Sequence, residues 1–222
     1  MNNVIPVWYA NRLHFKKAKE KKMPNICTNT VRIVGEKENI KKLLDKVVIE
    51  DKEAHDSDTL VKVFDLTQAR PQPAEFDLIH KGSATINGEQ VNHWKLRDKT
   101  TGEIVQGSIT NTFGNDNIEM VKVTEEETQE LINKYGSSDW YGWRVEAWGT
   151  KWVAPTLLTD TDIWEEEGWS EMEINLECES AWGPPSELLD YISCEYDIHI
   201  SNRWWEEGGG LGWDHYNNEY NS

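Results

Sequence analysis

"EMEINLECESAWGPPSELLDYISCEYDIHISNRWW" occupies residues 171–205, and its reading decides the fold. Met172, Ile174, Leu176 and Cys178 fall on one side of an extended chain. Glu171, Glu173, Asn175, Glu177 and Glu179 fall on the other. A period of two is the mark of a strand with one face buried. Pro184 and Pro185 cannot continue a strand ladder but suit the entry to a helix. Leu188, Leu189 and Ile192 then recur at helical spacing and form its buried side. In "IHISNRWW", Ile198 and Ile200 point inward while His199, Ser201 and Arg203 point the other way, which predicts a second strand. "EEGGGLGW" reads as a glycine-rich turn followed by a further short strand.

Upstream, Asn29, Val31 and Ile33 alternate with Thr28, Thr30 and Arg32, which predicts a half-buried strand ending at Gly35. Ile40, Leu43, Leu44 and Val47 follow at helical spacing. In "WYGWRVEAWGTKW", residues 140–152, Trp143, Val145 and Ala147 alternate with Arg144, Glu146 and Trp148, which predicts another strand. The region between reads as an insertion. "LVKVF" suits a short strand, and the prolines of "ARPQPAEF" exclude a regular element. "NHWKLRDKTTGEIVQ" suits a hairpin turning near Thr101 and Gly102. Thr124 and Glu127 form a capping box for a helix with Leu131 and Ile132 on its buried side and Gly136 as its stop.

The resulting order is β-α-β-β-α-β. It predicts an α+β, ferredoxin-like split βαβ fold, with helices on one face of an antiparallel sheet. A long insertion separates the first helix from the second strand. The expected division is 1–22 as a basic extension containing "FKKAKEKK", 23–47 as the first strand and helix, 48–139 as the insertion with its hairpin and helix, and 140–222 as the remainder. The term describes topology only. Three cysteines, Cys27, Cys178 and Cys194, make no CxxC pair and no cluster quartet.

Charge is distributed unevenly. The formal net charge of the 222 residues is −17. Residues 1–152 hold 23 acids and 22 bases, whereas 153–222 hold 17 acids and a single base, Arg203. Such a field repels nucleic acid and anionic membranes and favours basic partners. No apolar run approaches the roughly 20 residues of a membrane span, and the widely spaced cysteines fit a reducing cytoplasm. Of 12 tryptophans, 10 lie between Trp140 and Trp213, so the aromatic core is expected in the C-terminal part.

Three strings carry a family resemblance: "MPNICTNTVRIVG" at 23–35, "WYGWRVEAWGTKW" at 140–152 and "SAWGPP" at 180–185. They resemble the YubB-type ferredoxin-like domain family of phage, prophage and plasmid proteins. Its members open with Met-Pro-Asn-Trp-Cys, carry Trp-Gly-Thr-Lys-Trp and have a Trp-Ser-Pro-Pro-like helix start. "VFDLTQARPQPAEF" looks like the family's proline-containing segment. Ile26 stands where the family has tryptophan, and Gly183 where it often has serine. The resemblance runs from Met23 to the C-terminus. It implies a mobile-element protein acting in the bacterial cytoplasm, with no enzymatic activity to transfer.

Catalytic and cofactor signatures are sparse. No phosphate-loop motif occurs, and "GGGLG" follows Glu206 and Glu207, which would repel phosphate. The histidines show no HxH or HExxH spacing, and the acids near Asp160, Asp162 and Glu165 lack the spacing of a calcium loop. Cys27 and Cys178 occupy strand positions expected to be buried and inert. His199 and Ser201 share the open face without an orienting acid. RNA stacking on that face needs aromatics on the first and third strands, where Thr28, Thr30, Arg32 and the glutamate row stand instead.

These residues predict a non-enzymatic accessory protein without a cofactor and without contact to nucleic acid or membrane. It is expected to bind a host protein with a basic surface, as a counter-defence factor. Arg32, Arg144 and Arg203 are expected opposite the glutamates. Trp140, Trp143, Trp152 and Trp182 are assigned to the core. The expected partner-binding residues are Arg144, Trp148, Lys151, Glu173, Glu177, Arg203, Trp204 and Trp205. The alternative is a sponge that holds a small nucleotide-like signal through Arg144, Trp148 and Lys151.

Overall fold

The computed structural model describes residues 25–51, 61–107 and 115–217. The basic extension 1–22 lies outside them. Two compact units are present: Gln72–Trp143 builds one, and 25–71 with 144–217 builds the other.

The second unit is the ferredoxin-like one. Strand β1 (Ile26–Glu36) leads into helix α1 (Lys37–Val47), which buries Ile40, Leu43 and Val47. Much later come β9 (Ile163–Glu165), β10 (Glu171–Ala181), helix α4 (Ser186–Tyr196), β11 (His199–Glu206) and β12 (Leu211–Tyr216). All neighbouring strands are antiparallel, in the order β12-β11-β1-β10-β9. Removing β12 leaves the fourth-first-third-second order of a split βαβ sheet, so the fold is ferredoxin-like, with β12 added at one edge. Helices α1 and α4 pack together and against the same face, closing over Val31, Ile33, Ile174, Leu176 and Ile200.

The alternation read in residues 171–180 is present residue by residue, with Met172, Ile174, Leu176 and Cys178 buried. Leu188, Leu189 and Ile192 are fully buried on α4. Burial drives the Cys27 thiol up to about 11 and the Cys178 thiol up to about 12, so neither supplies a thiolate at neutral pH.

The long insertion between the first helix and the second sheet strand contains more than a hairpin and a helix. Strands β2 (Val48–Asp51) and β3 (Val61–Phe64) pair with each other, and β3 also pairs with β8 (Thr156–Leu157). In the other unit, β5 (Glu89–Asp98) pairs with β4 (His80–Ile86), β6 (Ile104–Val105) and β7 (Ile118–Lys122). Helix α2 (Glu125–Tyr135) starts with the Thr124–Glu127 capping box and stops at left-handed Gly136.

One expected strand is a helix. Residues Trp140–Trp148 form α3, and the second sheet strand is β9. The helix begins where Asp139 Oδ1 accepts hydrogen bonds from the backbone N–H groups of Tyr141 and Gly142. It ends at Gly149, whose φ is +75°. Trp140, Trp143, Arg144, Ala147 and Trp148 recur at i, i+3, i+4, i+7 and i+8, a helical stripe. Arg144 interrupts its apolar character, and the 143/145/147 alternation imitates a strand.

Candidate functional site

The motif strings meet at one place, and it is a packing junction. Residues 180–182 are its hub. Thr150 Oγ1 donates to the Ala181 carbonyl at 2.6 Å, and the Ala181 N–H donates to the Trp152 carbonyl at 3.1 Å. Val153 pairs with Ser180 across an isolated bridge. The Trp182 N–H reaches the Asn25 carbonyl at 2.8 Å. Beneath the sheet, Asn29 Nδ2 donates to Ser180 Oγ at 2.8 Å, and Asn202 Nδ2 donates to Asn29 Oδ1 at 3.0 Å. Asn29, Ser180 and Asn202 are all fully enclosed. The proline-containing segment joins too: Arg70 donates to the Ala147 carbonyl and lies over the Tyr191 ring.

This junction removes several residues from the expected site. Trp148, expected as an exposed anchor, is 1% exposed, and its Nε1 donates to the Arg70 carbonyl at 2.9 Å. Arg144, expected on the open face, is 7% exposed, with its guanidinium over the Trp148 ring and Nη1 3.4 Å from the Lys151 carbonyl. Both corrections follow from the helix, which turns positions 144 and 148 to one buried side. Lys151 Nζ lies 5.8 Å from the Trp182 ring centroid. Trp182, expected in the core, is 48% exposed. It adopts a left-handed conformation, φ 66°, where the chain turns from β10 toward α4. The three residues expected to hold a nucleotide therefore form no open cluster.

Trp204, expected among the exposed partner-binding residues, is not on the open face. Its parity matches Ile200 and Asn202, so it points to the helix-covered face. The ring lies directly over Gly212, where a Cβ would collide with it, and Nε1 donates to Asp214 Oδ2 at 2.7 Å. The glycine-rich turn is thus a seat for an indole.

The open face of the five-stranded sheet gathers the remaining candidates. On β10 it presents Glu171, Glu173, Asn175, Glu177 and Glu179. On β1 it presents Thr28, Thr30, Arg32 and Val34. Arg32 grips Glu173 with two hydrogen bonds, 2.9 and 2.6 Å, which holds that carboxyl below the usual range. Among the described residues, Glu171, Glu177 and Glu179 make no ion pair. On β11 and β12 the face carries His199, Ser201, Arg203, Trp205, Leu211, Trp213 and His215. Registers align Glu177–Thr30–Arg203–Trp213 in one row and Glu179–Thr28–Trp205–Leu211 in the next. Trp205, Leu211 and Trp213 are 52%, 72% and 66% exposed. Trp164 stands at the opposite edge, paired in register with Glu173.

The face is therefore bipolar, with an acidic column on β10 and an aromatic, cationic column on β11 and β12. Leu211, Trp213 and His215 were missed at the sequence level. Carrying the parity across the glycine-rich turn would have placed them beside Arg203 and Trp205. No group of three or more His, Cys, Asp or Glu side chains suited to a metal ion occurs among the described residues. No described helix is long and apolar enough to cross a membrane.

No curated protein and no solved structure matches the chain. Residues 160–220 match the family model described as "Ferredoxin-like domain in Api92-like protein", a stretch that holds β9 through β12 and, with them, most of the bipolar face.

Proposed function

We propose that this protein is a non-catalytic binding factor that engages a partner protein with a basic surface through the open sheet face. The observation that carries this reading is the juxtaposition of unpaired carboxylates, Glu177 and Glu179, with exposed Trp205 in aligned rows. Tryptophan flanked by a charged rim is the usual composition of an energetic anchor in an interface. Complementary charge speeds encounter and fixes orientation. Glu173 is committed to Arg32 and contributes to the rim rather than to the contact.

The resemblance to YubB-type proteins supports origin on a phage or plasmid, with the partner in the cytoplasm of the bacterial host. Counter-defence is the purpose that such an accessory protein would serve. The acidic face would then occupy a basic surface that its owner uses for another ligand.

The test starts from the tagged protein in bacterial lysate at low salt. A captured protein is identified, purified and titrated against wild type and the Glu177→Lys/Glu179→Lys double variant. The reading expects binding that the double variant abolishes and that weakens steeply between about 0.05 M and about 0.5 M salt, as screening shortens. Binding indifferent to both changes would refute it.

A further inference from the structure

The aromatic half of the open face is chemically distinct from the acidic half. None of its seven positions on β11 and β12 carries a carboxylate. Glu206 and Asp214, the acids in those strands, belong to the opposite parity. Arg203 makes no ion pair among the described residues, and the register sets it directly beside Trp213. The Trp213 ring stacks with His215 at 6.0 Å between centroids and 23° between planes, and is otherwise largely open to solvent. Next to this pair lies a shallow groove of about 310 Å³, with Val34, Ile200 and Tyr216 on its apolar part and Arg32, His199, Ser201 and His215 supplying its polar groups.

We propose that Trp213, Arg203 and this groove form a binding site for a single nucleotide. The base stacks on the exposed indole face, which tolerates any base because every base offers a π-surface. Arg203 supplies the counter-charge beside the stacked base, and the phosphate turns into the groove, where Arg32 Nη1, Ser201 and the two histidines supply donors. Two residues along a strand advance about 6.6 Å, the step from Trp213 to His215, which suits the reach from base to phosphate. The acidic column on β10 sets the size limit. Its Glu177 and Glu179 lie two strand spacings, about 10 Å, from β11, while Glu173 is already held by Arg32. A longer polyanion crossing the sheet would meet Glu177 and Glu179, whereas one nucleotide stays clear of them.

This site is independent of the protein-binding reading, because it uses neither Glu177 nor Glu179. The experiment is isothermal calorimetry of the full chain with 5′-AMP, adenosine, inorganic phosphate and a single-stranded oligonucleotide. The expected result is saturable AMP binding at or below about 1 mM. Adenosine and phosphate alone should each bind at least about tenfold more weakly, since each supplies half of the contacts. Trp213→Ala and Arg203→Gln should each weaken AMP by about tenfold. Both sites are exposed, and an unchanged melting temperature confirms that the variants fold. Glu177→Lys/Glu179→Lys should retain AMP binding, even where it abolishes the protein partner. AMP binding that does not saturate, or that ignores Trp213 and Arg203, would overturn the proposal. So would phosphate or adenosine matching AMP, or an oligonucleotide binding more tightly per nucleotide than AMP.

Discussion

At the level of single residues, the strings that carry the family resemblance are explained by packing. Gly149 combines a left-handed backbone with a close approach: a Cβ there would run into the Glu187 carboxyl and come within 3.2 Å of the Ser186 nitrogen at the start of α4. Gly149→Ala should therefore destabilise by about 2 kcal/mol or more, of which 1–2 is the left-handed penalty. Urea unfolding would measure it, and a loss near zero would show that the turn relaxes freely. Asn29 is the second case. It donates to Ser180 and the Cys178 carbonyl and accepts from Asn202, all out of water. Asn29→Ala strands these partners, at a cost of about 1–3 kcal/mol for each buried group left unsatisfied. The Asn202→Ala single variant and the double variant complete a cycle. A coupling energy below about 0.5 kcal/mol would contradict a shared network. Neither role was legible in the sequence, because both depend on what lies opposite in space. The string says which residues recur together; it does not say that they meet at residues 180–182.

At the level of elements, legibility followed the cleanliness of the period. Strand β10 and helix α4 were readable because each buries a regular apolar series, with a small serine, Ser180 or Ser193, as the sole polar residue in it. Helix α2 was readable from its caps. Helix α3 was not, although its capping aspartate and terminal glycine stand in the sequence. A buried arginine in the stripe and six residues of accidental alternation outweighed those signals. The start of α3 also yields a pH prediction. Asp139 holds two backbone N–H groups, Lys81 Nζ at 2.9 Å and His93 Nε2 at 3.0 Å. Burial pushes its carboxyl up, but the Gly142 N–H, Lys81 and His93 outweigh that and leave it below the usual range. A carboxyl depressed in the folded state contributes stability above its unfolded value, about 3.9. That contribution is lost as pH falls from there through the folded value. Asp139→Asn should thus be less stable than wild type at neutral pH by about 1–2 kcal/mol, since Lys81 and His93 lose their partner but remain partly in water. The gap should close only in the acid range below about pH 4. A gap that is constant down to pH 2 would mean that the amide shape, and not the charge, is what matters.

At the level of the whole molecule, the decisive quantity is where the charge lies. The fold class was legible because topology needs only the order of elements, and that order survives the misplacement of one strand. The face was half legible. Its glutamates were seen by parity, while its aromatic column was missed beyond Trp205 because β12 was only a suspected strand. Seventeen acids against one base in residues 153–222 put like charges on neighbouring positions of β10, with Arg32 alone among the described residues answering them in an ion pair on that face. Self-repulsion of this kind opposes the compact state and is screened by salt. Raising salt from about 0.01 M to about 1 M shortens the screening length from about 30 Å to about 3 Å. Wild type should gain a few degrees in melting temperature over that range. Ion pairs such as Lys95–Glu127 and Lys134–Glu75 act in the opposite sense, but exposed pairs contribute only about 0–1 kcal/mol each. The general effect of salt on hydrophobic burial is common to wild type and variant, so the difference between them isolates the face. Glu177→Lys/Glu179→Lys should melt higher than wild type at low salt, and the two curves should converge as salt rises. A double variant that melts lower at low salt would show that the carboxylates are held by favourable contacts within the fold. That outcome would also deprive the acidic column of its availability to a partner.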